Sequence, residues 1–368
     1  MNIPFVDLKA QYNSIKSEID SAIFNVLNET NFIGGKPIKE FEGKFAALYG
    51  SKHVIGVANG TDAIYIVLKM LGIGAGDEVI TTAASWISTS ETISQTGATP
   101  VFVDIDPETY TINPLLIESK ITKRTKAIIP VHLYGHVAHI TQINNLCEKH
   151  NLFLIEDCAQ SHFSAENGQL AGRFGIAGTF SFYPGKNLGA YGDAGCIITD
   201  DDMLAEKCRM YANHGALKKH EHQMEGINSR LDTIQAAVLC VKSKYILDWT
   251  AARIEKAAIY KEALKDTNAI SLPVIRKDTK HSFHLYVIRS KKRDQLKLYL
   301  ESKGIQTAIH YPTALPNLQA YKYLHHKRED FEVASAYQDE ILSLPIYPEL
   351  DADQINYVAE NIRAFFRS

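Results

Sequence analysis

Between residues 50 and 200 the chain alternates short apolar runs with helical patterns, and this alternation fixes the class of fold. Runs rich in β-branched residues fall at 54–58, 78–82, 100–103, 127–133, 152–156, 179–183 and 196–199. Helical patterns lie between several of them, 140–149 for example. Short apolar strands separated by helices predict a mostly parallel sheet covered on both faces. From about 230 to 265 the pattern is helical. Beyond it, 282–289 alternates like a half-exposed strand, 293–302 reads as a helix, 307–311 as a strand and 332–344 as a helix ended by Pro345. The expectation is an α/β chain with a large unit over 1–245, N-terminal segment included, and a smaller α+β unit over 246–368. A composition of 368 residues, 45% hydrophobic and 22% charged, supplies enough core for both. No repeat or Gly/Ser-rich linker separates them.

Open α/β sheets bind ligands at the carboxyl ends of their strands. Residues at those ends are therefore the first candidates for chemistry. In Ser181-Phe182-Tyr183-Pro184-Gly185-Lys186-Asn187-Leu188-Gly189 a lysine leaves a strand among small residues. In Ile155-Glu156-Asp157-Cys158-Ala159-Gln160 a carboxylate ends an apolar strand. A single lysine is most often a solvated surface charge. Paired with Asp157 it reads differently: a lysine that forms a Schiff base and a carboxylate that holds a pyridinium proton are the minimum equipment for pyridoxal phosphate chemistry. The phosphate needs a cradle, and Val57-Ala58-Asn59-Gly60-Thr61-Asp62-Ala63 offers one between a strand and an apolar helix. Free N–H groups, a hydroxyl and the helix dipole suit an anion there. An ordinary N-cap by Thr61 or Asp62 would use the same residues, and the charge of Asp62 does nothing for a phosphate. Trp86 follows another strand end. It is either core or a flat face for a planar ring.

Other features exclude functions. Gly72-Ile73-Gly74-Ala75-Gly76 precedes a strand, whereas a dinucleotide loop follows one, so it reads as a helix stop and turn. His220-Glu221-His222 and His325-His326 lie among charges without a ligand set, so no metal is expected. A net charge of -3 points to neither nucleic acid nor an anionic membrane. No signal peptide or membrane span is expected. Five cysteines, with no CxxC, suit a reduced cytoplasmic protein.

Taken together, Lys186, Asp157, Gly60-Thr61 and Trp86 make the chain resemble the DegT/DnrJ/EryC1/StrS nucleotide-sugar aminotransferases, which are fold-type I enzymes of the aspartate aminotransferase kind. Further matching motifs are Asn31-Phe32-Ile33-Gly34-Gly35, Pro130-Val131-His132-Leu133-Tyr134-Gly135, Ser181 through Gly195, Asn213-His214-Gly215 and Asn228-Ser229-Arg230-Leu231. The resemblance implies a role for each position. Lys186 would carry the cofactor and shuttle the proton. Asp157 would pair with the pyridine nitrogen, and Gln160 would contact the ring's phenolic oxygen. Gly60, Thr61 and Ser181 would hold the phosphate, joined by Asn228 from the other subunit of a homodimer with shared sites. Trp86 would cover the ring, while Tyr183, His310 and Tyr311 would face the sugar nucleotide. Some relatives carry histidine in place of the lysine and act as dehydratases, a branch disfavoured by Lys186. Within the family the opening Phe5-Val6-Asp7-Leu8-Lys9, the 183–190 loop and Gly226-Ile227-Asn228-Ser229-Arg230-Leu231-Asp232 are most similar to the dTDP-3-keto-6-deoxyhexose 3-aminotransferases. That implies an amine taken from L-glutamate and delivered to C3 of a dTDP-sugar. The product would enter O-antigen, S-layer or another glycan. A 4-keto or UDP-sugar acceptor, and a non-catalytic regulatory protein of the same fold, stand as the alternatives.

Overall fold

A computed structural model describes residues 1–367. Its centre is a seven-stranded sheet built from β1 (His53–Val57), β2 (Glu78–Thr82), β3 (Thr99–Val103), β4 (Thr125–Ile129), β5 (Phe153–Asp157), β6 (Ala177–Ser181) and β7 (Gly195–Thr199). The spatial order is β1-β7-β6-β5-β4-β2-β3. Neighbours from β6 through β3 run parallel; β7 runs antiparallel to both β6 and β1. Alternate side chains feed two cores. Val54, Ile80, Ile128 and Ile198 pack on one face, and Ile55, Val79, Ile129 and Ile197 on the other. Both faces are apolar because helices cover both, as the near-continuous strand hydrophobicity requires.

Each expected strand of the sheet is present, with ends shifted by a few residues. The largest shift is at β4, which stops at Ile129 instead of running to Leu133. Pro130 has no N–H to give a ladder, and Tyr134 then turns the chain with a φ of 61°. The helix α1 (Gly60–Met70) buries Ala63, Ile64, Ile66, Val67 and Leu68. Asn59 caps it by accepting from the N–H of Asp62 at 2.8 Å, so neither Thr61 nor Asp62 is the cap. The helix α2 (Ser88–Gln95) follows β2.

After α3 (Ile246–Leu264) a second core forms around a two-stranded sheet, β8 (Tyr286–Arg289) and β9 (Ile341–Leu344). Two expectations fail here. The stretch expected as a helix over 332–344 is helical only over Glu332–Tyr337, and its apolar end becomes β9. The expected strand over 307–311 reduces to a single bridge, Ala308 to Ser343. A short apolar run fits either period, and pairing with β8, remote in sequence, decides it. Ile3, assigned by sequence to the larger unit, bridges Ile305 and packs in this second core.

Candidate active site

The loops that leave β1, β2, β5 and β6 meet the second core around a cavity of about 580 Å³. That volume lies within the range of small-molecule sites. Ten of the eleven residues expected at a site line it: Gly60, Thr61, Trp86, Asp157, Gln160, Ser181, Tyr183, Lys186, His310 and Tyr311. Asn228 does not. It is exposed, and its backbone bridges Asn213.

One end of the cavity is closed by tight contacts at two glycines. A Cβ on Gly60 would stand 2.7 Å from the Ser181 Cβ, and one on Gly195 would stand 2.4 Å from the Asn59 carbonyl carbon. These contacts press the start of α1 against the ends of β6 and β7. The N–H groups of Gly60 and Thr61 have no intrahelical partner, as at any helix start. The Thr61 and Ser88 hydroxyls bond each other at 2.7 Å beside them.

The floor is Asp157, the last residue of β5 and 4% exposed. Its Oδ2 accepts from the Thr89 hydroxyl at 2.7 Å and its Oδ1 from the Ala159 N–H at 3.1 Å. Each oxygen keeps a lone pair for a further donor. The preceding Glu156 faces the other side of the strand. It accepts from the N–H groups of Gly172, Phe174 and Gly175 and sits 3.0 Å from His132 Nε2. His132 Nδ1 accepts from the Ala138 N–H, so Nε2 carries the proton and donates to Glu156. His132, Glu156 and Cys158 cluster closely enough to suggest a metal site, but both ring nitrogens of His132 and the Glu156 carboxylate are already engaged.

Lys186 Nζ has no hydrogen-bond partner among the described residues. Burial pushes its pKa down to about 8, opposed by the attraction of Asp157. Gln160 Oε1 accepts from the Tyr134 N–H at 2.7 Å, which turns Nε2 toward the Tyr311 Oη at 3.0 Å. Tyr311 thus keeps its own proton to donate. Burial, with Asp157 nearby, raises its pKa further above the ordinary phenol value. Trp86 is 58% exposed and tilted 46° against Tyr311 with ring centroids 5.5 Å apart, so it belongs to the cavity wall rather than the core. His310 is stacked on Phe5 and bonded through Nδ1 to the Ser343 hydroxyl. Burial and the Lys186 charge hold its pKa at about 4, so the ring is neutral at pH 7.

Several lining residues escaped the sequence reading: Thr89, Asp193, Arg253 and His284. The run Ser85-Trp86-Ile87-Ser88-Thr89, dense in hydroxyls just past a strand end, was the available signal for Thr89. Nothing local marks Arg253. Lys242 was also missed. It lies beneath the lysine loop, donates to Gly189 O at 2.7 Å and to Gln11 Oε1 at 2.9 Å, and is pushed by burial to about 8.

These residues fit a pyridoxal phosphate. An unpartnered amine, a floor carboxylate with spare lone pairs, and free helix-start N–H groups meet in one cavity of sufficient size.

The comparisons with known proteins agree. The sequence model described as the DegT/DnrJ/EryC1/StrS aminotransferase family matches residues 13–363. A protein named pleiotropic regulatory protein, from Geobacillus stearothermophilus, is 44% identical over all of this chain and 99% of its own. The dTDP-3-amino-3,6-dideoxy-alpha-D-galactopyranose transaminase of Aneurinibacillus thermoaerophilus is also 44% identical, over 99% of both chains. The UDP-N-acetyl-3-dehydro-alpha-D-glucosamine 3-aminotransferase of Acidithiobacillus ferrooxidans is 41% identical over 98% of this chain and 97% of its own. Among solved structures, S. venezuelae DesV, crystallised in complex with a ketimine intermediate, superposes with a TM-score of 0.98 at 40% identity. It covers all of this chain and 99% of its own.

Proposed function

Because this chain belongs to the DegT/DnrJ/EryC1/StrS aminotransferase family, we propose that it moves an amino group from L-glutamate to C3 of a dTDP-3-keto-6-deoxyhexose. It is an enzyme of the nucleotide-sugar transaminase type, and its cofactor is pyridoxal phosphate. The product we propose is a dTDP-3-amino-3,6-dideoxyhexose of galacto or gluco configuration, made in the cytoplasm for a glycan. Five unpaired cysteines suit a reducing compartment, and among the described residues no helix is long and apolar enough to cross a membrane.

The single observation that carries the reading is the meeting of Lys186, Asp157, Gln160 and the Gly60–Ser181 contact in one cavity. When bound, the cofactor supplies an electron sink for a carbanion next to the amine. The chain does the rest. Gly60, Thr61 and Ser181 anchor the phosphate end. Asp157, braced by Thr89, keeps a proton on the ring nitrogen. Gln160, held by Tyr134, offers an N–H to the ring oxygen, and Trp86 covers the ring face. Lys186 Nζ takes a proton from the donor's α-carbon and returns it elsewhere as general base and acid. Tyr183, His310 and Tyr311 line the side where the sugar would enter.

Two of the relatives above, one acting on a dTDP-sugar and one on a UDP-sugar by name, both have the 3-position in their names. That favours C3 over C4 and leaves the nucleotide base as the second question. A side-by-side assay answers both. dTDP-3-keto-6-deoxyhexose, generated in place by an isomerase, is expected to be aminated, with mass and NMR placing nitrogen on C3. The dTDP-4-keto sugar and a UDP-3-keto sugar are expected to react far more slowly. Swapping C3 for C4 turns the hexose and displaces its diphosphate, so a pocket anchored on the nucleotide accepts one ketone. Amination of the 4-keto sugar alone overturns the C3 assignment. Absence of turnover with every keto-sugar would instead favour a regulatory role such as the name of the Geobacillus relative suggests.

The unit we propose is a homodimer in which Asn228 of the partner subunit completes the phosphate end. The exposed position of Asn228 outside its own chain's cavity supports this. Lys186→Ala and Asn228→Ala proteins, each impaired alone, should regain about a quarter of wild-type activity after mixing and subunit exchange. Half of the dimers are then hybrids, each with one intact site. No recovery from a mixture shown to exchange subunits would contradict shared sites.

A further inference from the structure

We propose that Arg253 binds the α-carboxylate of the amine donor, an inference that rests on the aminotransferase reading above. Arg253 lies on α3, is 4% exposed and lines the cavity. All of its hydrogen bonds run through Nη1, to the carbonyls of Phe283 at 3.1 Å, Ile346 at 2.9 Å and, weakly, His284 at 3.4 Å. Nε has no partner, and Nη2 makes no hydrogen bond among the described residues. Among the described residues no carboxylate lies within salt-bridge distance of the guanidinium; Glu349 acts on it only from further away. A buried cation normally has an ionic partner, because desolvation without one is costly. Here one edge of a planar fork is fixed by backbone and the Nε–Nη2 edge is unused. That edge matches a carboxylate in two parallel hydrogen bonds.

Depth in the cavity decides which anion. The charges of both Lys186 and Arg253 depress the pKa values of His162 and His284, so the two cations share neighbours. An α-carboxylate is bonded directly to the carbon that exchanges its proton, so whatever holds it must sit close to the lysine amine. A sugar diphosphate is separated from the reacting ketone by the hexose ring and trails toward the mouth, past the exposed Tyr183 and Trp86. The cofactor phosphate already has the start of α1. The fork at Arg253 is left for the donor.

The test separates the two half-reactions in the holoenzyme. L-Glutamate binding is read from the spectral change of the first half-reaction. Binding of the amino-sugar nucleotide is read from the reverse of the second. Arg253→Gln should raise the apparent Kd for glutamate about 100-fold, the worth of a charge-assisted pair, with a much smaller change for the sugar nucleotide. Arg253→Lys keeps the charge and can reach the carbonyls but lacks the fork; it should raise the glutamate Kd about 10-fold. Preference for glutamate over 4-aminobutyrate, which lacks an α-carboxylate, should shrink in both variants. Should the glutamine variant fail to fold, the lysine variant carries the test alone. Equal weakening of both half-reactions, or unchanged glutamate binding in a folded variant, overturns the assignment while leaving the proposed reaction standing.

Discussion

Replacing Lys186 by alanine is expected to abolish amino transfer, lowering turnover by about 10⁴-fold or more, the upper reach of a single acid–base group. The expectation starts from an amine that no group among the described residues holds and that burial pulls down to about 8. At pH 7 roughly a tenth of such amines are neutral, against fewer than about one in a thousand at the ordinary lysine pKa of ~10.4. A neutral amine is the form that attacks a carbonyl and accepts a proton. Borohydride treatment of the wild-type holoenzyme, followed by peptide mass spectrometry, should find the cofactor on the peptide that contains Lys186. The alanine variant should show no such adduct. The pH dependence follows from the direction of the shift. A lowered lysine pKa means the neutral form accumulates earlier, so capture of cofactor by the cofactor-free protein should speed up as pH rises through about 8 and then level off. A variant that turns over normally places the base elsewhere.

Changing Asp157 to asparagine is expected to lower kcat by about 10- to 150-fold through loss of a charged hydrogen bond worth ~1.5–3 kcal/mol. The fold should survive, because the amide keeps an oxygen that can accept from Thr89 or Ala159. Cofactor should still bind, because Gly60, Thr61 and Ser181 lie at the other end of the cavity. What an amide cannot do is hold a proton on the ring nitrogen as a carboxylate does. The measurement is kcat at saturating donor and acceptor, normalised to bound cofactor by absorbance. A near-normal value in the asparagine variant contradicts the role given to Asp157.

The place of both residues in the cavity was legible in the sequence because open α/β sheets gather ligand sites at strand ends, and Asp157 and Lys186 follow apolar runs that read plainly as strands. The strand order was not legible. That β7 lies antiparallel between β1 and β6 depends on pairings such as Val57 with Gly195, remote in sequence. The segment 341–344 was read as helix for the same reason, since its partner β8 lies over 50 residues away. Arg253 sits in a helix with small residues around it, Thr250-Ala251-Ala252, and reads as an ordinary surface arginine. Only the folding of α3 against the carbonyls of Phe283 and Ile346 turns it inward. Gln160 could be suspected from its place after Asp157, but its aim is set by Tyr134 and Tyr311, which arrive from two other segments.

Anyone redesigning this enzyme for a new sugar has one wall to work on. At the end proposed for the phosphate the chain itself fills the space: a methyl on Gly195 would meet the Asn59 backbone, and one on Gly60 would meet the Ser181 Cβ. Libraries at those positions should yield mostly misassembled sites, with no graded change in preference. Opposite, Tyr183 is more than half exposed, and Phe5 meets His310 through a ring stack. Side chains there can change size without moving the sheet. With the site roles proposed above, cofactor retention and acceptor choice should be separable traits in this scaffold, open to selection one at a time.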